Sequence, residues 1–256
     1  MMNKKYTSVE MMAVAAARVL EDNSSVYVGT GLPLVACILA KKTHAPNLLL
    51  IFEGGAIGGD VKTLPLSVGD SRASFRALKC GSILDAGSIA QLGYADYGFV
   101  GGAQIDMYGN INSTCLGPHE KPKINFPGSG GGNDIASLCW KIVIVTRHDK
   151  RRFVKKLDFM TSPGYLDGPG ARERAGLPAG SGPYRVITDL AVLGFDEKTK
   201  RMKLISTHPG VSVEQVMENT GFELLIPEKV ATTEEPTEKE LKLLREEIDP
   251  NGIYIR

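Results

Sequence analysis

Residues 24–60, SSVYVGTGLPLVACILAKKTHAPNLLLIFEGGAIGGD, decide the fold. The apolar run ending at Val28 reads as a short strand that breaks at Gly29. Pro33 can open a helix there, because its missing N–H costs nothing in a first helical turn and its φ is already helical. That helix runs towards Lys41. His44 to Asn47 lead into a second strand, LLLIF (48–52), whose unbroken apolar character suits a strand covered on both faces. Strand, helix, strand in this order implies a right-handed parallel crossover. The second strand ends in one carboxylate, Glu53, and a turn rich in glycine, EGGAIGG (53–59). Two readings of Glu53 stand open on residue type alone. One is a strand-end acid satisfied by neighbouring N–H groups. The other is a carboxylate held out of water at a strand end, where it becomes a covalent nucleophile, with the glycines leaving room for a bulky group.

The rest of the chain extends the same pattern. Thr7 and Glu10 read as a capping box, and Val9, Met12, Ala16 and Val19 recur at helical spacing, so an amphipathic helix fits the N-terminal region better than a secretory segment. Residues 83–91 are helical in pattern. YGFVGGAQID and WKIVIVTRH give further strands. YRVITDLAVLGFDEKTKRMKLIST (184–207) alternates, with a polar turn at Asp196 to Lys200, and reads as antiparallel strands. SVEQVMENTG is a helix with Ser212 as N-cap, Gln215 completing its box and Gly221 as C-cap. TEKELKLLREEI is the last helix, capped by Thr237 with Glu240. The expected fold class is α/β: an open, mostly parallel sheet with helices on both faces and a small antiparallel section near the C-terminus, in a single domain over 1–256.

Composition narrows the function. The 256 residues carry a formal net charge of +1, which gives no global field for nucleic acid or an anionic membrane. No apolar stretch approaches a membrane span. Cys37, Cys80, Cys115 and Cys139 lack metal or redox spacing and read as reduced thiols of a cytoplasmic protein. The four histidines form no H-x-x-x-H pair, so no metal is expected. Glycine-rich turns follow strands at 28–33, 53–59 and 100–110, and a fourth, PGSGGGND (127–134), precedes IASLCWKIVIV. Such loops at the carboxyl ends of parallel strands line a pocket with backbone N–H groups, suited to phosphate or a developing oxyanion. Walker, G-x-G-x-x-G and G-x-S-x-G patterns are absent. Gln104 and Asn133 are candidates to hold a carbonyl or carboxylate, although glycine-flanked amides often only stabilise turns. RHDKRRFVKK (147–156) reads as a solvated basic helix face, with contact to a polyphosphate or a partner subunit as its functional reading. Trp140 reads as core.

The stretches VGTGLPL (28–34), FEGGA (52–56), SVGDSR (67–72), GGAQIDMYGNINST (101–114), GSGGGNDIA (128–136), KRRF (150–153), TSPGYLDGPGARERAGLP (161–178), FDEKTKRM (195–202) and REEIDP (245–250) span nearly the whole chain. Together they resemble the beta (B) subunit of family I coenzyme A-transferases, in particular its glutaconate-type members. The resemblance implies the fold shared with sugar-phosphate isomerases. It implies an acyl-CoA substrate, no bound cofactor and an alpha (A) subunit as partner in a heteromer. Glu53 takes the place of the family's glutamate, which attacks the acyl-CoA thioester and passes through an anhydride to a glutamyl-CoA thioester. Gly54 departs from the family's usual Ser or Asn. Gly128, Gly130 and Gly131 match the loop implied as oxyanion or CoA-binding donors, Gly131 first, while Gly54, Gly55, Gly102, Gln104 and Asn133 become candidates for substrate or CoA contact. The substrates implied are short carboxylic acids, dicarboxylic ones first. The alternatives on this fold are a CoA-thioester hydrolase, a C–C hydrolase, a decarboxylase, or a non-catalytic CoA-ester-binding subunit.

Overall fold

In the computed structural model, which describes residues 5–256, the 24–60 stretch folds as strand β1 (Ser25–Val28), helix α2 (Leu32–Lys42) and strand β2 (Leu49–Phe52), with helix α1 (Ser8–Ala17) before them. Pro33 lies in the first turn of α2. β1 and β2 are parallel, with Val26 opposite Leu50 and Val28 opposite Phe52. Both strands are almost wholly buried, as their apolar runs require. β3 (Ala56–Ile57) and β4 (Lys79–Cys80) add on antiparallel beyond β2, and after helix α3 (Ile83–Gln91) strand β5 (Tyr97–Val100) pairs parallel with the other side of β1. A Ser82–Asp85 capping box starts α3.

The chain divides into two compact units: Met1–Phe99 with Glu234–Arg256, and Val100–Thr233. In the second, β6 (Gln104–Ile105) pairs with β7 (Ile111–Asn112), and β8 (Cys115–Leu116) with β9 (Ile124–Asn125). Helix α4 (Gly132–Leu138) leads into β10 (Lys141–Val145), and after the short helix α5 (Ala171–Arg174) comes β11 (Gly182–Ile187), parallel to β10. β12 (Ala191–Phe195) and β13 (Met202–Thr207) continue antiparallel. Helix α6 (Val213–Glu218) precedes β14 (Ala231–Thr232), which runs parallel to β13. The chain then returns to the first unit as helix α7 (Glu238–Lys242) and a π-helical segment, Leu243–Ile248. The fold is the open, mostly parallel α/β class, with antiparallel pairing near the C-terminus. Antiparallel pairing also appears at β2–β3–β4, where strands two residues long carry no readable alternation.

Four local expectations change. α1 has its Thr7–Glu10 box, but Glu10 to Ala17 are all buried, so it is enclosed rather than amphipathic. It is covered from the C-terminal side too, because Arg245 donates to Glu10 (Nε–Oε1 2.6 Å) and Arg18 to Glu240 (Nη2–Oε2 2.8 Å). Residues 147–156 form no helix: the Asp149 carboxylate accepts the Arg151 and Arg152 N–H groups in a tight turn, and Phe153 is fully buried. α6 is capped at Ser212, which accepts from the Gln215 N–H, but it ends at Asn219. Gly221 lies beyond it and donates its N–H to the Phe153 carbonyl at 2.7 Å, a packing position rather than a cap. Trp140 stands just before β10 and is 40% exposed instead of in the core.

Candidate active site

Glu53 leaves the carboxyl end of β2 at the level where Gly29 leaves β1, because the register sets Val28 beside Phe52. The Gly55 N–H closes on the Phe52 carbonyl at 2.9 Å, so Glu53 and Gly54 are the central residues of a tight turn. Gly55 follows at φ +101°, a conformation that glycine adopts without strain. The Glu53 side chain is half-buried. Its Oε2 and the Val68 Cγ1 each lie 4.0 Å from the point that a Cβ on Gly29 would occupy. Two of the glycine turns, 28–33 and 53–59, thus meet at the Glu53 carboxylate, and a segment absent from the sequence-based reading of the site, Ser67 to Asp70, joins them.

The glycines after Glu53 do not open empty space on their side-chain side. A Cβ on Gly54, Gly55 or Gly59 would run into the carbonyl of Val68, Gly81 or Ala73 respectively. The 60–82 excursion packs its backbone against all three. Asp70 organises that excursion: its carboxylate accepts the N–H groups of Leu66 (3.1 Å) and Arg72 (3.0 Å) and pairs with the Arg72 guanidinium. The Arg72 hydrogen bonds and the two backbone N–H groups hold the Asp70 carboxyl well below the usual carboxylate range. The one signal in the sequence was Asp70 two residues before Arg72, an Asx-turn spacing inside SVGDSR.

The other expected site residues lie in the second unit. Gln104 is buried and committed: Nε2 donates to Asp158 (2.8 Å), and Oε1 accepts from Asn112 Nδ2 (2.7 Å) and the Asp158 N–H (3.1 Å). Asn133 is exposed in the first turn of α4 and donates to the Thr161 carbonyl at 2.7 Å. Gly102 sits at the edge of a cavity of about 470 Å³ whose walls include Leu116, Phe126, Pro127, Arg151 and Arg152. Gly128 follows Pro127 at φ +94° and gives its N–H to the Ser113 carbonyl at 2.9 Å. Gly130 is also at positive φ, and Gly131 is the N-cap of α4. Gly128 and Gly130 therefore serve the turn, and the Gly128 N–H is already used.

The Coenzyme A transferase family model matches residues 9–219. Over 98% of its length the chain is 45% identical to the beta (B) subunit of glutaconate CoA-transferase from Acidaminococcus fermentans, covering 96% of that protein. It is 42% identical to the beta (B) subunit of 3-oxoadipate CoA-transferase from Pseudomonas knackmussii, over 94% of this chain and 92% of that one. The crystal structure of glutaconate coenzyme A-transferase from Acidaminococcus fermentans superposes with a TM-score of 0.93 at 43% identity, covering 98% of both chains.

Proposed function

The chain belongs to the coenzyme A transferase family, as the β subunit of a CoA-transferase, and from that premise we propose that it moves CoA between short dicarboxylic acids through Glu53. The relatives are the beta (B) halves of two-subunit enzymes, so an A-type subunit is the partner, and the CoA thioester is substrate rather than resident cofactor. Residues 1–256 serve as one β-subunit domain of a cytoplasmic enzyme. Among the described residues no helix is long and apolar enough to cross a membrane.

In this reading a Glu53 oxygen attacks the thioester carbonyl, the C–S bond breaks, and CoA leaves as thiolate from an acyl-glutamyl anhydride. The thiolate attacks the glutamyl carbonyl, the anhydride C–O bond breaks, and the first acid departs as carboxylate. The acceptor carboxylate then runs the sequence in reverse on the glutamyl-CoA thioester. Each tetrahedral intermediate carries an oxyanion, and backbone N–H donors aimed at it contribute a large part of such catalysis. We assign that role to Gly131 first. The observation that carries the reading is the placement of Glu53, half-buried in a fixed turn at the carboxyl end of a parallel strand.

The test is borohydride trapping on the complex with an A-type subunit, incubated with glutaryl-CoA or acetyl-CoA. Reduction of a glutamyl-CoA thioester releases CoA and turns the Glu53 carboxyl into a primary alcohol, a loss of one oxygen and a gain of two hydrogens in its peptide. That mass change, absent in Glu53→Ala, is the expected result. Acyl-CoA consumption with Glu53 unmodified overturns the mechanism. Glu53→Ala is expected to lower kcat by about 10³-fold or more, because it removes a covalent step rather than a contact.

A further inference from the structure

A side chain at position 54 has nowhere to go. An ideal Cβ built on Gly54 lies 2.1 Å from the Val68 carbonyl oxygen, 3.0 Å from its carbon and 3.5 Å from the Gly69 Cα. These are backbone atoms, which no rotamer change removes. The φ of Gly54 is not in the left-handed region, so an L-residue is barred there by the neighbour and not by its own torsions. The same arrangement recurs at Gly59, where a Cβ would lie 2.2 Å from the Ala73 carbonyl oxygen, and Gly59 too is free of positive φ. Residues 66–75 thus form a strap fastened to the Glu53 hairpin at two points, with Asp70 and Arg72 locking its middle and the Asp60 N–H bonding the Phe75 carbonyl at 2.8 Å.

We infer that this strap is a positioning element for Glu53, and that residue 54 is glycine so that the Val68–Gly69 backbone can press on the turn carrying the nucleophile. The inference rests on the reading of Glu53 as the nucleophile. The strap's first fastening lies one residue from Glu53, and the Val68 side chain shares with the carboxylate the space facing Gly29. The attack of a carboxylate on a thioester depends on near-attack geometry, and misplacement by about 1 Å costs on the order of 10²-fold in rate. The serine or asparagine implied by the family resemblance would require residues 67–69 to take another path. Gly54 is therefore one half of a matched pair with the strap, and restoring the usual side chain here damages the site.

The two fastenings give a controlled experiment, because Gly54→Ala and Gly59→Ala bring the same Cβ against a strap carbonyl at nearly the same separation. Both variants are made in the complex with the A-type subunit. Thermal unfolding, kcat, KM for acyl-CoA and the rate of Glu53 adduct formation are measured. Both are expected to lose similar stability. Gly54→Ala, and Gly54→Ser with it, are expected to slow adduct formation and kcat by about 10²-fold with KM within about 3-fold. Gly59→Ala, which displaces the strap at the fastening farther from Glu53, is expected to lower kcat about 10-fold less than Gly54→Ala does. Asp70→Ala, which releases the lock in the middle of the strap without adding a side chain, is expected to slow adduct formation by about 10-fold, and Asp70→Asn, which keeps an acceptor for the same N–H groups, to recover most of it. Equal rate losses in Gly54→Ala and Gly59→Ala, or an unchanged kcat in Gly54→Ala, make the strap a packing element only and overturn the inference. If the Gly54 variants fail to fold, an unchanged adduct rate in Asp70→Ala overturns it alone. A parent complex that transfers CoA without modifying Glu53 removes the nucleophile reading itself, and the inference falls with it.

Discussion

Arg172 is a cation held by carbonyls. Only 1% exposed, it donates Nη1 to the carbonyls of Pro163 (3.2 Å) and Gly164 (2.8 Å), and Nη2 to the Ala136 carbonyl (3.0 Å) and Ser181 Oγ (2.9 Å). Its buried Nε has no hydrogen-bond partner among the described residues. Burial lowers its pKa from the ordinary value, yet a guanidinium stays charged. Its planar fork ties the 163–164 segment to the end of α4, which no single-point donor can do. Arg172→Lys is expected to lose about 3 kcal/mol in denaturant unfolding, since buried carbonyls lose their donors; a loss under about 1 kcal/mol counts against this role. His148 is the second buried titratable group with a visible consequence. It lies between Thr188 Oγ1 (3.1 Å) and Thr220 Oγ1 (2.9 Å) and stacks on Phe153 at 4.0 Å. Burial pushes its pKa down to about 4, against the charges of Asp189 and Asp149, which act to raise it. Between about pH 6.5 and pH 4 the unfolded chain therefore binds a proton that the folded chain does not, and stability falls as pH falls. The loss across that window is roughly 3 kcal/mol. His148→Gln is expected to flatten this limb of the unfolding-versus-pH curve, and a slope identical to the parent's refutes the assignment.

Elements whose ends are set by side-chain chemistry were legible in the sequence. Pro33 lies in the first turn of α2 because its φ is already helical and its missing N–H costs nothing there, and Thr7 with Glu10, Thr237 with Glu240 and the Ser212 hydroxyl begin their helices because each supplies an acceptor at a fixed offset. The position of Glu53 was legible too, as a carboxylate that ends an apolar run and so falls at the end of β2. Elements set by distant packing were not. β3, β4 and β6 to β9 are two residues long and exist only through their partners. The strap was unreadable because its cause is contact between residues 54 and 68, and a glycine in sequence does not say which backbone comes close. The basic run at 147–156 misled because charge suggested a helix face, while Asp149 turns the chain and Phe153 anchors it. At α1 the cap and the tail share one residue: Glu10 accepts the Thr7 N–H at 2.8 Å and also pairs with Arg245. Burial acts to raise the Glu10 pKa, but the Arg245 and Thr7 bonds outweigh it and leave the net shift downward. Thr7→Ala, which removes the cap alone, is expected to lower stability by about 1 kcal/mol. Glu10→Gln, which keeps an amide acceptor for the Thr7 N–H but breaks the ion pair, is expected to lose about 2 kcal/mol, discounted because Arg245 is half exposed. Equal losses in thermal unfolding count against a clamp function for the C-terminal segment.

At the scale of the whole molecule, the first unit carries apolar side chains that its own fold leaves uncovered. Leu78, Leu84, Leu92 and Tyr94 are each about 70–80% exposed, and all lie within one short segment that includes α3. Single exposed apolar residues are ordinary, but a cluster on one segment marks a surface that something covers. A formal net charge of +1 gives little repulsion to keep copies of the chain apart. An A-type subunit that covered this segment would remove its apolar area from water, and the expected behaviour of the isolated chain and of the complex follows from that arrangement. The chain by itself is therefore expected to bind a hydrophobic fluorescent dye, to self-associate as concentration rises, and to transfer no CoA. Adding the A-type subunit is expected to suppress dye binding, to yield one species by native mass spectrometry, and to restore turnover in proportion to the complex formed. Leu84→Lys places a charge on the most exposed of these leucines without touching Glu53 or its strap. It is expected to reduce dye binding and self-association of the isolated chain. Full CoA transfer by the isolated chain, or dye binding that the partner leaves unchanged, contradicts the view that this face and this activity both await a second subunit.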